Sequence, residues 1–133
     1  MTADVAYLDT SALVKLLVRE VETSSLRRHL RRWPRRSSAA LTRVELIRTI
    51  NRAGLSQLLP QARRQLLAIH LIRLDDQLLD RAAELDPPGL RSLDAIHLAA
   101  ALSLGSDLAA LITYDQRMAV AAEALGLPVM SPQ

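Results

Sequence analysis

A chain of 133 residues, half of them hydrophobic, is long enough to bury a real core and is expected to form one domain over residues 1–133. It contains no cysteine, which excludes disulfides and thiolate metal sites, and its apolar runs fall far short of the ~20 residues a membrane helix needs. The formal net charge is +3 and almost all the positive charge is arginine, Lys15 being the single lysine, so an anionic polymer is a reasonable partner.

Only Tyr7, Trp33 and Tyr114 are aromatic, so the core has to be built from Leu, Ala, Val and Ile. Acidic Asp4 and Asp9 stand where a secretory signal would carry basic residues, and a soluble cytoplasmic protein is expected. Val5-Ala6-Tyr7-Leu8 is a continuous apolar run without polar alternation, which predicts a central strand buried on both faces. Asp9 follows at its carboxyl end, where an open α/β sheet places its ligands. Asp also caps helices well, and both readings stand for Asp9 taken alone. Thr10 and Ser11 beside it are expected to be able to cap without a charge.

A helix continues over Ala12–Val18 and a second spans Glu22–Trp33, with Leu26, Leu30 and Trp33 on one stripe. Arg27, Arg28, Arg31 and Arg32 occupy its other side, which reads either as a solvated face or as a contact for RNA or an acidic partner. A short strand is predicted at Ser37–Leu41. Thr42-Arg43-Val44-Glu45 then matches a capping box, and the helix runs to about Ala53 before Gly54. Glu45 therefore has two structural explanations, the capping box and an i,i+3 pair with Arg48.

Pro60 opens a helix to Ala68, Ile69–Leu74 alternates as a third strand, and Asp75 or Asp76 caps a helix that reaches Leu85. Ser92–Leu102 is apolar on every side except at Asp94, His97 and Ser103, which marks a helix buried in the centre of the fold. Ser92 is expected to cap it. Asp94 in the first turn gains only ~0.3–1 kcal/mol from the helix dipole. An unpaired buried charge effectively costs several kcal/mol, so Asp94 needs an arginine or a metal ion. His97 reads as a satisfied core residue. Ala109–Thr113 is a second buried strand, Asp115 repeats the placement of Asp9, and the helix Gln116–Leu125 leads past Gly126 to an edge strand at Leu127–Met130.

Strands alternating with helices predict an α/β fold with three α/β/α layers and a central parallel sheet of four to five strands. In such a sheet Asp9, Glu45, Asp94 and Asp115 converge on one edge, each beside a hydroxyl. Gathering four carboxylates makes sense chiefly around a divalent cation, because two of them ~4 Å apart repel by ~4 kcal/mol at an effective dielectric of 20. All-oxygen ligation suits Mg²⁺ or Mn²⁺.

The blocks Tyr7-Leu8-Asp9-Thr10-Ser11-Ala12-Leu13, Leu41-Thr42-Arg43-Val44-Glu45, Ser92-Leu93-Asp94-Ala95-Ile96-His97-Leu98-Ala99 and Thr113-Tyr114-Asp115-Gln116-Arg117-Met118 together resemble a PIN-domain protein, and more specifically the VapC toxins of VapBC toxin–antitoxin pairs. The order and spacing of all four blocks fit, and the resemblance spans essentially the whole chain. It implies a PIN-like fold and an Mg²⁺- or Mn²⁺-dependent endoribonuclease with Asp9, Glu45, Asp94 and Asp115 as its acidic quartet. Asp9 and Asp94 match the family's strong metal ligands, and Ser11 and Thr113 its supporting polar residues. The resemblance also implies a homodimer, an RNA substrate and inhibition by a VapB-type antitoxin. Met118 departs from the aromatic many members carry, which bears on packing.

The competing classes are weaker. A phosphatase of the haloacid-dehalogenase type wants a second acid where Ser11 stands, and a receiver domain wants a late lysine that is absent. A non-catalytic RNA- or partner-binding scaffold would use the arginine helix alone, without the aromatic platform of single-strand binders.

Overall fold

In a computed structural model, which describes residues 3–133, five strands form one wholly parallel sheet. The elements are β1 (Val5–Leu8), α1 (Thr10–Leu17), α2 (Thr23–Leu30), β2 (Arg35–Ala39), α3 (Thr42–Arg52), α4 (Leu59–Ala68), β3 (His70–Ile72), α5 (Asp76–Ala83), α6 (Ser92–Ser103), β4 (Leu108–Ile112), α7 (Gln116–Ala124) and β5 (Val129–Met130). The sheet order is β3-β2-β1-β4-β5, so the first strand is central, as its unbroken apolar run predicts, and the last is an edge. The second strand begins two residues earlier than expected, at Arg35, and ends at Ala39. The third is short, because only His70–Ile72 pair with β2.

Strand periodicity divides the core into two layers. On one face Tyr7 and Leu111 pack with Leu98, Ala99, Met118 and Ala122, which places α5, α6 and α7 there. On the other, Ala6, Leu8 and Ile112 pack with Leu13, Leu26, Leu30, Leu46 and Ile50 from α1, α2 and α3, and with Ala62 of α4. Small alanines at the sheet–helix contacts let these helices approach closely, which compensates for the scarcity of aromatic volume. Met118 is buried in this packing. Gly54 and Gly126 adopt positive φ of 72° and 78°, the left-handed backbone that lets the chain leave α3 and α7. Among the described residues no helix is long and apolar enough to cross a membrane.

Parallel strands all deliver the chain to one sheet edge. β1 leads to Asp9, β2 to the start of α3 and β4 to Asp115. α6 follows another helix rather than a strand, and the connection 84–91 returns the chain to that same edge before α6 begins.

Candidate active site

Asp9, Glu45, Asp94 and Asp115 all line one groove of about 950 Å³ at this edge, each from a different element. Asp9 is the N-cap of α1, accepting the Ala12 amide at 3.0 Å on Oδ1. Asp115 likewise caps α7, accepting from the amides of Arg117 at 2.9 Å and Met118 at 3.3 Å. Cap and groove residue are therefore the same residue at both positions. The neighbouring hydroxyls do not cap. Ser11 Oγ donates to Asp9 Oδ1 at 2.6 Å and Thr113 Oγ1 donates to Oδ2 at 2.5 Å. Each hydroxyl also accepts an amide, Ser11 from Tyr114 at 2.9 Å and Thr113 from Asp115 at 3.0 Å. Both Asp9 oxygens are thus held, and the hydroxyls tie the end of β1 to the loop after β4. Burial pushes the Asp9 carboxyl above its ordinary range, against the opposing hydrogen bonds from Ser11 and Thr113.

Two local expectations give way to tertiary partners. The capping box at Thr42–Glu45 does not form: Leu41 is the N-cap without a side-chain bond, and Thr42 Oγ1 bonds Ser38 Oγ at 2.7 Å. Glu45 does not pair with Arg48 but accepts from Thr10 Oγ1 at 2.6 Å and faces His97 Nε2 at 2.6 Å. Half-burial pushes the Glu45 carboxyl up, but the hydrogen bonds from His97 and Thr10 outweigh it and hold it below its usual value. Ser92 does not cap α6 either. It is the first helical residue, after an Arg91 N-cap that makes no side-chain bond to the helix amides.

His97 is buried, as a core residue would be, yet it lines the groove. Its Nδ1 lies 2.7 Å from the Tyr7 hydroxyl, and its ring meets the Tyr7 ring edge-on at 6.0 Å. The tautomer with its proton on Nε2 satisfies both bonds, donating to Glu45 and accepting from Tyr7. Tyr7 is fully buried, and burial with the nearby Asp9 charge pushes its hydroxyl well up, so it is a neutral phenol donor. This Tyr7–His97–Glu45 relay was missed in the sequence, although the hydroxyl of a tyrosine in a strand buried on both faces usually finds a polar partner. His97→Ala is expected to strand that hydroxyl and open a cavity, costing about 2–4 kcal/mol. Urea denaturation tests it: the midpoint should fall with an unchanged slope, and a wild-type midpoint would remove the relay from the account.

Asp94 finds the cation its burial demands in Arg91, whose Nε donates to Oδ2 at 2.9 Å, while Nη2 reaches Asp115 Oδ2 at 3.2 Å. Arg91 is largely exposed, at 57% of its side chain. Arg27, Arg28, Arg31 and Arg32 are exposed on or just after α2 and none lines the groove; Arg27 donates to the Leu16 carbonyl at 3.3 Å.

The donor set suits a divalent cation in kind, being carboxylates around one groove with Thr10, Ser11 and Thr113 hydroxyls between them. As placed here, no three Asp, Glu or His groups among the described residues stand close enough together to hold one ion. The guanidinium of Arg91 lies between two of the acids instead. Arg91 holds Oδ2 of Asp94 and Oδ2 of Asp115, and so competes with a cation for these two oxygens.

The comparisons with known proteins agree with this arrangement. A family model described as the PIN domain matches residues 6–124. The chain is 50% identical over 126 residues to Ribonuclease VapC46 of Mycobacterium tuberculosis, covering 95% of this chain and 96% of that protein. It is 47% identical over 130 residues to Ribonuclease VapC35 of the same species, with the same coverage. Among solved structures, Mycobacterium tuberculosis VapC20, titled a sarcin-ricin loop cleaving toxin, superposes with a TM-score of 0.75 at 16% identity, covering 96% of this chain and 99% of that one. A toxin–antitoxin complex from Klebsiella pneumoniae gives 0.70 at 24% identity, with 96% and 98% covered. A parallel sheet with four acids at its carboxyl edge, matched along nearly its whole length by that family model and by these relatives, defines a PIN-domain protein, and the chain belongs to the VapC group of that family.

Proposed function

We propose that the protein is the toxin of a type II toxin–antitoxin pair and acts as an Mg²⁺- or Mn²⁺-dependent endoribonuclease, a single domain working in the cytoplasm. The observation that carries this reading is the gathering of Asp9, Glu45, Asp94 and Asp115 from four elements onto one groove. The ribonuclease names of relatives at 50% and 47% identity support RNA as the substrate. The toxin–antitoxin complex among its structural neighbours is consistent with a VapB-type antitoxin as partner, and homodimerisation follows the family.

In this reading Asp9 and Asp94 hold the cation, and Glu45 and Asp115 orient water and substrate beside it. When bound, such a cation supplies Lewis-acid polarisation of the phosphodiester. The chain supplies the rest. Ser11 and Thr113 fix the orientation of the Asp9 carboxylate, and the Tyr7–His97 bond fixes that of Glu45. Arg91, once off Asp94, offers a planar guanidinium to a phosphate oxygen. The exposed Arg27, Arg28, Arg31 and Arg32 are assigned to antitoxin or RNA affinity outside the groove.

The experiment is RNA cleavage by the purified protein after stripping with EDTA. Activity is expected to vanish and to return with Mn²⁺ or Mg²⁺. Cleavage undiminished in EDTA would defeat the metal-dependent reading.

A further inference from the structure

Four basic side chains line the groove beside the acids: Lys15, Arg48, Arg52 and Arg91. Two of them are already neutralised. Lys15 Nζ is 2.5 Å from Glu20 and 2.8 Å from Glu22, and lies over the Tyr114 ring at 5.3 Å. Arg91 is held between Asp94 and Asp115. Arg48 and Arg52 differ, because among the described residues neither has an ion-pair partner and both are exposed. Arg48 is free because Glu45, its expected i,i+3 partner, turns to Thr10 and His97.

Glu45, Arg48, Thr49 and Arg52 stand at i, i+3, i+4 and i+7 of α3 and all line the groove, so they form one stripe. It starts at an acid of the quartet and ends at Arg52, about 10 Å further along the helix at 1.5 Å per residue. Val44 and Leu93, at 57% and 48% exposure, present apolar surface in the same groove. Unpaired guanidiniums in a row, with exposed aliphatic side chains nearby, suit a ligand that has a charged backbone and apolar ring faces. The geometry points to α3 as the track of the RNA strand, with Arg48 and Arg52 holding successive phosphates on one side of the scissile bond. This rests on the ribonuclease reading above. It places the substrate's contacts within the groove on α3, apart from any affinity that the arginines of α2 add outside it.

The test is equilibrium binding of a short labelled single-stranded RNA of mixed sequence, in EDTA so that it stays intact, across a salt series. Each phosphate contact contributes about −0.7 to the slope of log affinity against log salt for a single strand. Arg48→Gln with Arg52→Gln should flatten the slope by about 1.4 and weaken binding roughly tenfold at low salt. Arg48→Lys with Arg52→Lys should keep most of the slope, since the charges remain. Arg63→Gln with Arg64→Gln on α4 removes the same charge away from the groove, and should leave the slope as in wild type. A wild-type slope in the Arg48/Arg52 double variant would overturn the track and leave the ribonuclease reading standing. A loss that appears only on changing Arg27, Arg28, Arg31 and Arg32 to Gln would likewise move the track to α2. A wild-type protein with no affinity for RNA would overturn both readings together.

Discussion

Asp94→Asn is expected to reduce RNA cleavage by at least about 10²-fold, the loss typical when one electrostatic stabiliser is removed from an active site. The substitution keeps size and shape in the first turn of α6 and still offers an oxygen to Arg91, so the fold should survive. It removes one of the two charges assigned to hold the cation. Raising Mn²⁺ should recover part of the rate, because the lost ligand weakens binding. The check is a cleavage time course for both proteins at several Mn²⁺ concentrations, with circular dichroism to confirm folding. Near-wild-type turnover by the variant would remove Asp94 from the chemistry and leave its pairing with Arg91 as purely structural.

The second large effect is on stability, and its sign is opposite to that of most core substitutions. Asp9→Asn is expected to make the metal-free protein more stable at neutral pH, seen as a higher urea midpoint. Burial disfavours the Asp9 charge, and the folded-state pKa lies above the unfolded value near 4. A carboxyl shifted upward stabilises the fold fully below its unfolded pKa, and that contribution is lost as pH rises through its folded pKa. Asparagine carries no such loss. It still accepts the Ala12 amide as an N-cap, since Asn caps about as well as Asp. The difference between variant and wild type should therefore be small near pH 4 and widen as pH rises. Other carboxylates, Glu45 with its downward shift included, are common to both proteins and cancel in the difference. Paired urea denaturations along a pH series measure it, and a constant difference would contradict the assigned shift.

The sheet was legible because its signals are local. An unbroken apolar tetrapeptide, Val5–Leu8, marks a strand covered on both faces, and turning acids after Leu8 and Thr113 mark the edge that gathers ligands. The four acids were legible for the same reason, since each sits in or before a first helical turn. The hydroxyls beside them carry no comparable local signal. Thr10, Ser11, Thr42 and Thr113 look like spare caps along the chain, but in three dimensions they serve Glu45, Asp9, Ser38 and Asp9. A hydroxyl satisfies whichever polar group the fold brings within reach, and a capping motif cannot register that competition. Long-range pairs were hidden for the same reason. Tyr7 and His97 are 90 residues apart, and Arg91 and Asp115 are 24 apart. Nothing in either local sequence announces the partner. The freedom of Arg48 is a consequence of one such pair, because His97 takes the carboxylate that helix spacing assigns to it.

The most direct test of a cation site built on these acids is a thermal melt of wild type and Asp9→Asn, with and without Mg²⁺, at fixed ionic strength. A ligand at about ten times its dissociation constant stabilises the state it binds by ~1.4 kcal/mol through mass action. For a domain of this size that corresponds to a rise of roughly 4–8 °C in wild type. Asp9→Asn should start higher than wild type in the absence of metal and gain little when Mg²⁺ is added. A wild type whose melting temperature neither Mg²⁺ nor Mn²⁺ moves would contradict a cation site built on Asp9.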